Sequence, residues 1–171
     1  MNIRAILILL FAFALDAAAQ SAPKRILSSD LGGRELTYLN RSNEQDLLLM
    51  NLAGLGKTKG HSEAVRVLAD LLGTTQEKEH AQLLALARDK GVSLSNWPPG
   101  ALDRLRSLLD PLKADAFDKA WLREVTDLLK TSVQNLTAGT GSGDAEIKKA
   151  ASAGLALAEL KLDAVGKVAA R

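Results

Sequence analysis

Glu77 and His80 stand three residues apart in Glu77-Lys78-Glu79-His80, a step that places a carboxylate and an imidazole on one face of a helix. Carboxylate-bridged di-metal bundles use two such steps together with a glutamate from each of two further helices. The second candidate step is Glu124-Val125-Thr126-Asp127, where an aspartate stands in the histidine position. Glu159 completes the set of carboxylates from which such a site would be assembled. His61, the other histidine, falls at a helix boundary. One complete step is a weak metal signal, because Fe, Mn or Zn requires several converging ligands. A lone histidine beside a core stripe needs only a hydrogen-bond partner.

Two glycine-containing stretches invite a nucleotide reading. Asn51-Leu52-Ala53-Gly54-Leu55-Gly56-Lys57-Thr58 is one residue from a phosphate-binding loop, with asparagine at the first glycine position. That loop needs a buried strand before it and further parallel strands downstream, and none is legible, so the stretch reads as a helix end. Gly139-Thr140-Gly141-Ser142-Gly143 follows a helix rather than a strand and has the wrong spacing for a dinucleotide loop; it reads as a flexible turn. The chain has no cysteine, and its two histidines assemble no convincing Ser-His-Asp set. No catalytic residue and no cofactor are therefore assigned.

The elements that would carry these residues are helical. Leucine and alanine dominate while aromatics are 4%, and the β-branched and aromatic runs that strands favour are missing. The spacing predicts a first helix over about residues 35–58, with Tyr38, Gln45, Leu48, Leu49, Leu52 and Leu55 on one face. After Gly60, Ser62 caps a second helix to about residue 90. Its stripe is Val65, Leu68, Ala69, Leu72, Gln76, His80, Leu83 and Ala87, three and four apart as a core-facing side requires. Gly91 ends it. Asn96-Trp97-Pro98-Pro99-Gly100 cannot continue a helix. A short helix over 101–109 follows, then a third long helix over about 115–137 burying Trp121, Leu122, Val125, Leu129 and Leu136. Asp144 caps a fourth to about residue 169, with Ile147, Ala151, Leu155, Ala158, Leu162 and Val165 inward. The result is an all-α four-helix bundle with a long crossover, the link with its short helix, between the second and third long helices.

The first residues carry an address. Arg4 precedes an apolar run over 5–15, and Ala17-Ala18-Ala19 supplies a small-residue exit. This is the three-part pattern of a secretory signal peptide cut after Ala19. The run is well short of the roughly 20 residues that span a bilayer, so no membrane span is expected after cleavage. Residues 1–19 are thus read as leader, 20–33 as a flexible arm and 34–171 as one bundle domain. The leader holds one charge of each sign, so the net charge of +2 is unchanged by its loss. With no basic stripe interleaved with aromatics, no nucleic-acid partner is expected. Without cysteine there are no disulfides, and the core alone must hold the fold.

Three short motifs in order carry a resemblance: Tyr38-Leu39, Lys90-Gly91-Val92-Ser93-Leu94, and Phe117-Asp118-Lys119-Ala120-Trp121. Over about residues 38–169 the chain resembles the exported bacterial family called domain of unknown function 4142, a ferritin-like group. The resemblance implies a ferritin-like bundle with a polar site at its centre. It also implies that the site's usual positions are altered. Leu49 stands where relatives often carry a glutamate. Thr75-Gln76 and Leu128-Leu129 stand in place of Asp-His pairs. On the last helix Leu155-Ala156 replaces Leu-Pro, and Leu160 and Lys161 fall where a histidine is expected. None of these is an ordinary ligand for a transition metal, and leucine at 49 and 129 adds apolar surface to the core.

The expectation is therefore an exported protein of the periplasm or cell envelope, non-catalytic, acting by binding or as structure, with a protein partner or envelope association. The competing expectation is a di-metal Fe/Mn oxidoreductase or storage protein rebuilt from Glu77, His80, Glu124 and Glu159. A surface-lying membrane helix protein is disfavoured by the strong, capped stripes. Lys161, if inward, is expected to reach out to water along its stem.

Overall fold

Apolar residues at helical spacing fold into five helices in a computed structural model that describes residues 31–95 and 100–170: α1 Gly33–Lys59, α2 Glu63–Asp89, α3 Ala101–Leu109, α4 Ala114–Thr140 and α5 Ala145–Ala169. No strand occurs among the described residues. The expected leader, most of the arm and Trp97 lie outside them. The helix borders follow the capping signals. Ser62 accepts the Val65 N–H at the start of α2, and the Asp144 carboxylate accepts from Glu146 and Ile147 at the start of α5. Gly91, with φ +70°, turns the chain out of α2, as a left-handed residue after a helix should.

Two borders differ from expectation. α1 begins at Gly33, inside the segment read as an arm, and α4 runs through Gly139 and Thr140, which had read as turn. Gly139 is kept helical by what it touches. A Cβ there would sit 2.6 Å from the Tyr38 ring and 2.8 Å from the Ala151 Cβ. Glycine is thus the side chain that lets three helices meet, and this offsets its poor helix propensity.

α1 packs along α2 and α4, and α5 closes onto α4 and α2. Pairs such as Tyr38–Gly139 and Gly56–Trp121 make α1 and α4 antiparallel, and Lys90–Asp144 with Gln76–Lys161 does the same for α2 and α5. Consequently α2 and α4 run in the same direction, so the start of α4 lies at the opposite end of the bundle from the end of α2. α3 lies between them in the chain, with Leu102 and Leu109 buried. Lys59 holds its end by donating to the carbonyls of Leu109 and Asp110 at 3.2 and 2.9 Å, a cation placed on a helix C-terminus.

The core has two parts. One surrounds Leu52, Leu72, Phe117, Trp121 and Val125; the other surrounds Tyr38, Leu39, Leu83, Ile147 and Ala151. Trp121 is fully buried, and its indole N–H donates to the Leu52 carbonyl at 2.6 Å, which satisfies the one polar atom of the ring. A Cβ on Gly56 would lie 2.5 Å from that ring. The glycines of the apparent phosphate loop are therefore helical residues of α1, one of them a seat for tryptophan. Asp118, one turn before Trp121, accepts the backbone N–H of His61 and Ser62, each at 2.8 Å, and so holds the α1–α2 turn against α4.

These contacts assign opposite signs to two neighbouring glycines. Gly54 is exposed with nothing within 4 Å of an added Cβ. Gly54→Ala should raise stability by about 0.5–1 kcal/mol. Gly56→Ala should lower it by about 1–3 kcal/mol through overpacking. Urea unfolding followed by circular dichroism reads both.

Candidate functional site

Between the two parts of the core lies a polar layer built from three helices. Asp46 on α1 accepts from Gln76 Nε2 on α2 at 2.7 Å, and its second oxygen is 3.3 Å from His80 Nδ1. The carbonyl oxygen of Gln76 accepts from Lys161 Nζ on α5 at 2.7 Å. The same ammonium donates to Glu79 Oε1, also at 2.7 Å. Gln76 is 3% exposed and Lys161 6%. The amide of Gln76 thus turns its N–H toward a carboxylate and its oxygen toward a cation, relaying charge across the core. α4 adds Asn135, which donates to Ser42 Oγ at 2.9 Å.

Periodicity explains how these side chains meet. Asp46 precedes the inward Leu49 by three residues, Glu79 follows the inward Gln76 by three, and Lys161 follows Ala158 by three. Residues at this separation share a helix face. Burial pushes the carboxyl groups of Asp46 and Glu79 up from their ordinary values of 3.8 and 4.5; His80 and Lys161 pull Asp46 back in part, as Lys161 does Glu79.

The layer lines a hollow of about 470 Å³. Leu49, Leu83, Leu129 and Leu136 supply apolar wall, and Ala150, Ala153 and Gly154 of α5 supply a wall of small side chains. Leu49, Gln76, Leu129 and Lys161, singled out as replacements for ligand positions, all face this one hollow. These four positions thus converge from all four long helices, whereas Leu160 is exposed. Lys161 departs from expectation: it stays in the core, because Gln76 and Glu79 receive its ammonium there.

The carboxylates and histidine considered for a metal are scattered. Glu77 and Glu159 are exposed. Glu124 is half-buried on the far side of the core, where it lines a different hollow with Leu48, Leu52 and α3. Only His80 belongs to the polar layer, and its neighbour is Asp46 rather than Glu77. Among the described residues no group of three or more His, Asp or Glu side chains gathers to hold a metal ion. A di-metal centre does not fit this donor set. Asp46 and Glu79 were missed by the spacing argument because it followed the Glu-x-x-His step and not the face shared with Leu49 and Gln76.

A second charged tie closes one end of the bundle. Lys90 donates to Asp144 at 2.6 Å and lies 2.5 Å from Glu146. Burial opposes the Lys90 charge, but the two carboxylates outweigh it and raise its pKa. Burial likewise opposes ionisation of Asp144 and Asp118, and the N–H and Lys90 contacts at Asp144, with those of Ser62 and His61 at Asp118, outweigh it and lower both.

The fold and this layer define a class: an all-α bundle whose buried lysine is paired with an internal carboxylate. Residues 19–168 match the family described as a domain of unknown function, DUF4142, and the chain belongs to that family. Comparison with curated proteins and with solved structures returns no match.

Removing the ammonium should expose the charge balance. Lys161→Met removes the cation beside Asp46 and Glu79 and leaves the Gln76 carbonyl oxygen without its donor; with Glu79 at the edge of the layer and Asp46 still held by Gln76 and His80, it should cost about 1–3 kcal/mol near neutral pH. The loss should shrink in acid. The raised pKa values of Asp46 and Glu79 mean that the folded state binds protons more readily than the unfolded one just above 3.8 and 4.5. Their contribution to stability therefore grows as pH falls through that window and is lost as pH rises. Asp118 and Asp144 act oppositely, stabilising above 3.8 and losing that contribution as pH falls through their lowered values. Thermal melts of wild type, Lys161→Met and Asp118→Asn from pH 7 down to about pH 2.5 separate the two effects.

Proposed function

We propose that this is an exported, non-catalytic helical bundle that acts by binding, with Lys161 as a tethered cation at the place where a ferritin-like relative would gather metal ligands. The observation that carries the reading is the Lys161 ammonium at 2.7 Å from both Gln76 and Glu79 in the middle of the core. A fixed positive charge there repels an incoming metal ion, and Leu49 and Leu129 offer it no ligand. The single long connection between α2 and α4 supports the ferritin-like comparison, since that connectivity distinguishes such bundles from up-down ones. Export rests on the pattern of residues 1–19. Among the described residues no helix is long and apolar enough to cross a membrane, and the proposed setting is the periplasm or the envelope, with a protein partner or an envelope component nearby.

Two measurements test this. Expressed with its full leader, the protein should be recovered from the periplasmic fraction with Gln20 as its first residue, as read by intact mass; an uncleaved cytoplasmic product sinks the export reading. After dialysis against a mild chelator, elemental analysis should find no stoichiometric Fe, Mn or Zn, and adding each should leave the melting temperature unchanged. Retention of one or two ions per chain with a rise in melting, as ligand linkage requires, would instead favour the oxidoreductase or storage reading built on His80 and neighbouring carboxylates.

A further inference from the structure

We infer that the hollow between α2 and α5 is a binding site for an aliphatic monocarboxylate of medium chain length, whose carboxylate takes Lys161 from Glu79. The inference deepens the binding reading above and rests on it. The volume of about 470 Å³ lies within the range of small-molecule sites, which are mostly apolar with a few convergent polar groups. Here the apolar part is leucine from α1, α2, α4 and α5, with the Lys161 layer set among it; Ser42, Gln45 and Ser132 add neutral polar lining, and the exposed Gln82, Glu146 and Lys149 complete it. A buried ammonium beside apolar wall suits a molecule with one anionic head and one flexible tail. Ala150 and Ala153 keep the α5 wall low, and Leu136 packs where a side chain on Gly154 would stand.

The head-group chemistry follows from unequal burial of the ion pair. An ammonium has three donors, and Gln76 and Glu79 use two. The Lys161 side chain is 6% exposed and cannot leave, whereas that of Glu79 is 22% exposed at the edge of the layer. Burial disfavours the Glu79 charge where it stands. Rotating Glu79 outward returns a carboxylate to water while the ligand's carboxylate replaces it on Lys161. The exchange leaves the net charge of the layer as it was, so neither ion is left unpaired in the core. Asp46 is not exchanged, because Gln76 and His80 both hold it. An ammonium head would meet Lys161 with like charge. An alcohol cannot replace the charge of Glu79 and would leave the Lys161–Glu79 pair in place.

The test is a titration of the purified protein with octanoate, decanoate and dodecanoate, with decanol and decylammonium as matched heads. Binding is read by calorimetry and by the shift in melting temperature. One decanoate per chain is expected, bound more tightly than decanol or decylammonium by on the order of tenfold. Glu79→Gln removes the competing charge and should tighten decanoate several-fold while leaving decanol unchanged. Lys161→Met should abolish the preference for decanoate over decanol. If that variant does not fold, Glu79→Gln decides alone: an unchanged decanoate affinity there overturns the proposed exchange. Decanol or decylammonium binding as tightly as decanoate overturns the inference and leaves the binding reading standing. No binding of any of the three overturns both the inference and the support the hollow lends to that reading. Flotation with phosphatidylglycerol vesicles in the absence of saturable decanoate binding also overturns it, assigning the affinity to a lipid surface.

Discussion

A lysine ammonium inside a helical bundle sets the terms for everything around it. Burying such a charge without partners costs several kcal/mol even after relaxation, so the core near Lys161 must supply acceptors from other helices. It does so with Gln76 and Glu79 of α2, and Gln76 passes the charge relation on to Asp46 of α1. Three helices are thereby held in one relative register. Sliding any of them by a turn would leave a buried ion or amide unpaired, a penalty that leucine packing alone does not impose.

The rest of the bundle is arranged on either side of this layer. Below it, Trp121 seats on Gly56 and caps its own indole N–H on Leu52. Above it, Tyr38 seats on Gly139. Both contacts use a large ring against a missing side chain, and both bring α1 and α4 into close approach. The ends are tied by charge: Asp118 holds the α1–α2 turn, and Lys90 holds the start of α5. With the ends pinned and the middle fixed by Lys161, a hollow remains along the α2–α5 seam, where small α5 residues face it. The same arrangement leaves a cavity that the buried ammonium faces, and the proposed binding role rests on this combination.

In this member of the DUF4142 family the motifs have physical roles. Lys-Gly-Val-x-Leu combines the cation that ties α2 to α5 with the left-handed glycine that ends α2. Phe-Asp-x-x-Trp combines two core rings with the carboxylate that caps a turn two helices away. Each motif thus pairs an apolar or conformational requirement with a long-range polar tie.

The sequence by itself determined the helices, their caps and most of their inward faces, because these depend on spacing of three and four and on a few residues at each end. Ser62, Gly91 and Asp144 were readable for that reason, as was the inward placement of Leu49, Gln76 and Leu129. It did not determine how far α4 runs, since the helicity of Gly139 depends on Tyr38 one hundred residues away in the chain. Nor did it reveal what Lys161 does. A lysine on an inward stripe reads as a side chain that escapes to water, and only the packing of α2 beside α5 supplied the acceptors that keep it inside. The candidate metal residues failed for the complementary reason. Glu77 and His80 have the right spacing on one helix, but ligands must converge from several. Convergence belongs to the relative rotation of helices, which is decided by tertiary packing and written in no local pattern.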